Sequence, residues 1–193
     1  MRLILYLFVI CVIATGVGLG LTALAVRHPP AIDVIEDGPW TAIASEGAPE
    51  VDAYALAALA YRGEVPLPIA DGLSFRAKED DEGRTLRGSC SYMISGVVPP
   101  VRVWSLAAFD SKGRLFTNPA RRFGHSSSEV MRDAQGAVQI ALSADAHPGD
   151  WLPVAPDGEI VLVLRLYDTT AAAISGGRSA PELPSIERLG CAE

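Results

Sequence analysis

Residues 149–168 read GDWLPVAPDGEIVLVLRLYD. Within Glu159 to Tyr167, the alternation of a strand puts Ile160, Leu162, Leu164 and Leu166 on one face and Val161, Val163, Arg165 and Tyr167 on the other. Both faces start apolar, so the run reads as a central strand covered on both sides. Arg165 is the exception. A guanidinium taken out of water is costly unless it is paired. The sequence offers Asp110, at the end of another strand, and Asp168 as partners; the other reading is that Arg165 faces a ligand.

Working outward, short runs rich in β-branched and aromatic residues predict strands at Leu73 to Lys78, Cys90 to Ser95, Val101 to Phe109, Arg114 to Thr117 and Ala137 to Leu142. Turns are expected at Asp81-Glu82-Gly83, Ser111-Lys112-Gly113, Ala134-Gln135-Gly136 and Pro156-Asp157-Gly158, each by its glycine. The alanine- and leucine-rich stretch from Val51 to Arg62, stopped by Gly63, predicts a helix. The spacing Ser126-x-x-Glu129 predicts a capping box and a second short helix over Ser126 to Arg132. The expected fold is mainly β: an antiparallel β-sandwich of two packed sheets over residues 38–193, with one or two short helices.

The chain divides near residue 27. From Leu3 to Val26 there is no charge, which is long enough to span a lipid bilayer as a helix. Ala23-Leu24-Ala25 also resembles a signal-peptidase site, but the apolar stretch exceeds the usual signal h-region of about 7–15 residues. A transmembrane anchor over residues 1–26 is therefore expected, then a linker over 27–37 that opens on Pro29-Pro30. Arg2 and the amino terminus point to an N-terminus inside, leaving the following domain in the periplasm of a bacterial inner membrane. Gly16 and Gly20 are spaced to let another helix approach, or belong to a lone glycine-tolerant span.

Residues 1–26 carry Arg2 as their one charged side chain, so the remainder holds 15 basic and 23 acidic residues, a net charge of −8. That balance argues against nucleic acid and against anionic lipid surfaces as partners. Cys90 and Cys191 form a disulfide if the domain is exported, or remain two thiols. No G-x-S-x-G, H-E-x-x-H or G-x-x-x-x-G-K motif occurs. His28, His125 and His147 lack companions at metal-ligand spacing, so neither metal nor cofactor is expected. The loop Asn118-Pro119-Ala120-Arg121-Arg122-Phe123 could grip a carboxylate or phosphate through its arginine forks, or be a solvated turn. Trp40, Trp104 and Trp151 line a pocket or complete the core.

Several of these stretches together resemble one family. They are Gly38-Pro39-Trp40, the Tyr54 helix running into Arg62-Gly63-Glu64-Val65-Pro66-Leu67, Val103-Trp104-Ser105-Leu106 to Asp110, Gly113-Arg114-Leu115, Asn118-Pro119 with Arg121-Arg122-Phe123, and Trp151-Leu152-Pro153 leading to Leu164-Arg165-Leu166-Tyr167. In this order, over about residues 38–168, the chain resembles the bacterial DUF1214 family, a domain of unknown function, in its short membrane-anchored alphaproteobacterial form. The resemblance implies a β-rich sandwich. It also implies a partner, because longer relatives carry a second β-rich domain, DUF1254, ahead of this one, and that half is not found in these residues. Two positions depart from the family's pattern: Asp150, where asparagine is usual, and Phe123, where tyrosine is.

The expected function is a membrane-anchored periplasmic binding or assembly module of the cell envelope, working with a DUF1254-type protein in trans. The alternative is an envelope hydrolase whose site lies near Asp110, Asn118, Arg121 and Arg165.

Overall fold

The computed structural model describes residues 2–27, 34–43, 52–62, 67–68, 71–169 and 183–192. Helices α1 (Arg2–Arg27) and α2 (Ala53–Arg62) make one compact unit, and the strands make another. Helix α1 has a mean hydropathy of 2.5 over its most apolar window and none of that window is buried, so by length and composition it can cross a membrane. A signal sequence has the same properties. Helix α2 starts two residues later than expected because Asp52 caps it, its Oδ2 accepting the amides of Tyr54 and Ala55 at 3.0 and 3.1 Å.

The β unit is a sandwich of ten strands among the described residues: β1 (Val34–Asp37), β2 (Trp40–Ile43), β3 (Gly72–Ala77), β4 (Cys90–Gly96), β5 (Val103–Asp110), β6 (Gly124–Ser126), β7 (Val138–Ser143), β8 (Asp150–Pro153), β9 (Ile160–Tyr167) and β10 (Ser185–Cys191). One sheet runs β1-β2-β3-β9-β5-β6 and the other β10-β4-β7-β8. All pairings are antiparallel except β7 with β8, which run parallel. Strand β9 is central, as its two apolar faces require, hydrogen-bonded to β3 on one side and β5 on the other. Its residues Ile160, Leu162, Leu164 and Leu166 are at most 1% exposed and meet Tyr92, Ile94, Ile140, Leu142 and Leu152 of the second sheet in one core. Trp40 and Trp104 also lie in that core, so two of the three tryptophans complete it.

Four sequence expectations are corrected here. Residues 34–37, expected in a linker, form β1 and pair in register with β2. Arg114 to Thr117 makes only an isolated bridge, Leu115 to Phe109, because the tight turn at Asp110 leaves no length for a ladder. Ser126 to Arg132 is not a helix. Ser126 ends β6 opposite Ser105, and although Glu129 Oε2 accepts its amide at 3.3 Å, only one turn forms. Strands β2, β6, β8 and β10 were not expected. In β10 only Ile186 is buried, so the strand has no apolar period to read. The expectations for His28, Pro29-Pro30 and Gly63 to Pro66 lie outside the described residues.

The C-terminal segment is fastened to both sheets. Trp40 Nε1 donates to Pro184 O at 2.7 Å, the Leu183 amide donates to Asp37 Oδ2 at 2.7 Å, and the Ile186 amide donates to Asp81 Oδ2 at 2.8 Å. Cys90 and Cys191 stand opposite each other in the β4–β10 ladder and are joined by a disulfide that closes a loop of 101 residues. The cross-link restricts the unfolded chain most when the loop is this long. Replacing both cysteines by serine is expected to cost about 2–5 kcal/mol of stability, measured by chemical denaturation. The same loss is expected when the wild type is unfolded under reducing conditions.

Candidate functional site

The turns that connect the strands determine what becomes of the acidic candidates. Three loops share one construction, in Asp80-Asp81-Glu82-Gly83-Arg84, Asp110-Ser111-Lys112-Gly113-Arg114 and Asp133-Ala134-Gln135-Gly136-Ala137. In each, the first aspartate's Oδ1 accepts the amides two and four residues on, at 2.8 to 3.1 Å. Its carbonyl accepts the glycine amide at 2.9 to 3.0 Å. The glycines have φ of 74°, 74° and 84°, a conformation costly for any residue with a Cβ.

Asp110 is therefore occupied. Besides the two amides it binds Arg114 through Nε at 2.8 Å and Nη2 at 2.7 Å. The backbone bond from Arg114, ahead of the opposing effect of burial, and then the Arg114 side chain hold its carboxyl below the usual carboxylate range. Nor can it reach Arg165. Asp110 pairs in register with Ile160 and Arg165 with Ser105, so the two are five residues apart along β5 and on opposite faces of the sheet. Asp168, the other expected partner, sits 3.6 Å from Arg102. Neither expected ion pair of Arg165 exists.

Asn118 is buried and holds its own loop. Its Nδ2 donates to Phe116 O at 3.1 Å and Arg122 O at 2.9 Å, while its Oδ1 accepts the Arg122 amide at 3.0 Å. Arg122 in turn donates through Nη1 to Trp151 O at 2.9 Å, tying the loop to β8. The buried His125 places Nε2 3.2 Å from the same carbonyl, so its role is structural. Arg121 is exposed in a left-handed conformation, φ 51°. The four expected site residues do not converge: Asp110 and Asn118 are committed to their loops, Arg121 is on a loop surface, and Arg165 is mid-strand.

Two features were not foreseen from the sequence. The first is a row across the outer face of the larger sheet: Ser74 of β3, Arg165 of β9, Ser105 of β5 and Ser126 of β6 are successive register partners. All four are half-buried. Among the described residues the Arg165 side chain has no hydrogen-bond or ion-pair partner, and the Ser74 and Ser105 hydroxyls have none either. Serines scattered over three strands give no motif; only pairing aligns them. The second is an open cavity of about 330 Å³ whose lining includes Met93, Arg132, Asp133, His147 and Asp150. There Asp150 Oδ2 accepts the Met131 amide at 2.7 Å. No group of three or more metal-ligating side chains occurs among the described residues.

A buried cluster around Asp80 has the density of an active site and a structural explanation. Arg84 Nε donates to Asp80 Oδ2 at 3.1 Å, and Arg188 Nε of β10 lies 2.8 Å from the same oxygen without being aligned to hydrogen-bond it. Arg188 also sits over the Tyr92 ring and donates through Nη2 to Thr85 O at 2.9 Å. Burial pushes the Asp80 carboxyl up, but the bonds from Arg84 and Glu82 and the charge of Arg188 together outweigh it and leave it below the usual range. The cluster joins the β3–β4 turn to the last strand.

The sequence profile described as "protein of unknown function (DUF1214)" matches residues 71–171, slightly more than half of the chain. The chain belongs to the DUF1214 family. The matched region runs from β3 through β9 and thus takes in all four strands of the Arg165 row. The chain is similar to the solved VPA0106 protein from Vibrio parahaemolyticus, with a TM-score of 0.57 and 22% identity over 72% of this chain and 35% of that one. It is also similar to a putative uncharacterised protein from Burkholderia cenocepacia, with a TM-score of 0.49 and 20% identity over 88% of this chain and 39% of that one. The chain thus spans little more than a third of the length of either. No curated protein matches it.

Asp80 and Asp110 have lowered folded-state values, so the stability they contribute is fully present above the ordinary value of 3.8 and is lost as pH falls through their folded values. Acid titration of the folded protein should show that loss below about pH 4. Asp80→Asn is expected to lower stability at pH 7 by about 2–4 kcal/mol and to flatten this acid limb, read by denaturant melts across pH. Asn118→Ala is expected to cost about 1–3 kcal/mol, because the Arg122 amide and two carbonyls lose their partner.

Proposed function

We propose that this DUF1214 protein is a membrane-anchored binding or assembly module of the bacterial cell envelope, with its β-sandwich in the periplasm and a DUF1254-type β-rich protein as partner in trans. The observation that carries the reading is one of length. The match covers 35% of the Vibrio parahaemolyticus chain that shares the fold, so in that protein the domain stands beside a large further portion. A separate protein that brings a portion of that kind to the domain is the partner proposed.

Three further observations support it. Helix α1 is apolar and long enough to span a bilayer. Arg2 is its first residue, consistent with an N-terminus inside and a domain outside. The disulfide between Cys90 and Cys191 fits an oxidising compartment. The hydrolase alternative loses the geometry it needed, because Asp110 and Asn118 are bound into their own loops and lie apart from Arg165.

Purification of the full-length protein from its native membranes in mild detergent, followed by mass spectrometry, tests this reading. The expected result is a stoichiometric second protein of β-rich type and an intact Cys90–Cys191 bond. A solitary protein, or one recovered from the soluble fraction with reduced cysteines, overturns it.

A further inference from the structure

The outer face of the larger sheet carries an arrangement that the rest of the fold does not use. Strand β9 lies between β3 and β5, so Arg165 is flanked on both sides within its row, by Ser74 and by Ser105. Directly paired residues on antiparallel strands have Cα atoms about 4.5–5.5 Å apart, which brings both hydroxyls within reach of a group held by the guanidinium. The nearest residues along β9 on the same face are Val163, buried, and Tyr167, half-buried. Ser126 continues the row, but its hydroxyl already bonds Ser128 at 2.8 Å. On the same face, one register step along β3, Arg76 is engaged in an interaction of its own.

A half-buried guanidinium on a central strand, without a carboxylate partner among the described residues, stands in contrast to four other arginines of the chain. Arg84, Arg102, Arg114 and Arg188 all have an aspartate within 4 Å, in a chain with seven more acidic than basic residues. Desolvation makes an unpaired charge expensive and its eventual pairing correspondingly strong. The donors present are a planar fork and two neutral hydroxyls, carrying one positive charge in all. They complement a planar monoanion, with the fork on one edge and the hydroxyls donating to the remaining lone pairs. A dianionic phosphate would keep uncompensated charge in the row. Tyr167, half-buried, offers apolar contact to whatever carries the anion.

We propose that Arg165, with Ser74 and Ser105 beside it in the cross-strand row, is a binding site for the carboxylate of a small organic acid. The proposal deepens the binding-module reading and rests on it only for the protein's location. Absence of a co-purifying partner would overturn the assembly reading and leave this site standing. Failure to bind carboxylates would do the reverse.

The test uses the full-length protein in detergent micelles, labelled with 15N-arginine, and follows the Arg165 Nε–H resonance by NMR. The probes are butyrate and phenylacetate, with butyramide and inorganic phosphate as contrasts. Saturable shifts with one or both carboxylates, no response to butyramide and a weaker response to phosphate are expected. By calorimetry Arg165→Met should weaken carboxylate binding by at least about tenfold, while its melting temperature stays within about 2 °C of the wild type because no ion pair is lost. Arg165→Lys, which keeps the charge and loses the fork, should bind with intermediate affinity, and Ser74→Ala with Ser105→Ala should bind more weakly than the wild type. No saturable response to either carboxylate overturns the site. So does an equal response to butyramide, or binding by Arg165→Met within about twofold of the wild type. Tighter binding of phosphate than of both carboxylates overturns the ligand class. If Arg165→Met fails to fold, wild-type affinity in both Arg165→Lys and the double serine variant overturns the proposal.

Discussion

The requirement that β9 be covered on both faces governs the β unit. A strand with Leu162, Leu164 and Leu166 on one side and Val161 and Val163 on the other cannot sit at an edge without leaving apolar surface in water. It takes β3 and β5 as neighbours, and its inner leucines require a second sheet, which β10, β4, β7 and β8 supply. The smaller sheet is the harder one to close. Its last strand, β10, is polar and contributes one buried side chain, so burial alone does not hold it. It is held instead by bonded and ionic fasteners, namely the disulfide to β4, the Asp81 bond to the Ile186 amide and Arg188 over Asp80.

The acidic residues serve this construction more than they serve chemistry. Asp80, Asp110 and Asp133 each hold a five-residue loop through two backbone amides, and Asp52 caps α2 in the same manner. An aspartate satisfied by amides and an arginine is a poor general base, since its carboxylate is already stabilised. The clustering of charge around Asp80 is thus consistent with a fastener between a turn and the final strand. Arg165 differs from these groups in having no such partner, and its pairing row supplies donors on both sides.

The sequence made some of these elements readable and hid others, for physical reasons. Strands β3, β4, β5, β7 and β9 bury a continuous or alternating set of apolar side chains, and each was visible by its period. Strands β6 and β8 have three and four residues, too few for a period to register, and β8 pairs parallel to β7 after a loop that carries no hairpin signal. The Ser126-x-x-Glu129 pattern was real locally, since Glu129 does accept the Ser126 amide, but pairing of Ser126 with Ser105 claimed the backbone for the sheet. The glycine of each turn was legible, whereas the aspartate three residues before it, which completes the turn, was legible only after the repeat was compared across three loops.

The amino-acid sequence alone determined the apolar N-terminal helix, the mainly β fold, the central place of β9 and the face of it that carries Arg165, because each follows from the spacing of side chains along a continuous stretch. Tertiary structure alone decided which residues stand beside one another. It set Asp110 on the opposite face from Arg165, brought Cys191 opposite Cys90, and aligned Ser74 and Ser105 with Arg165. The physical reason is that strand register is fixed by side-chain packing between segments far apart in the chain, and a shift of one residue would send every one of these groups to the other face.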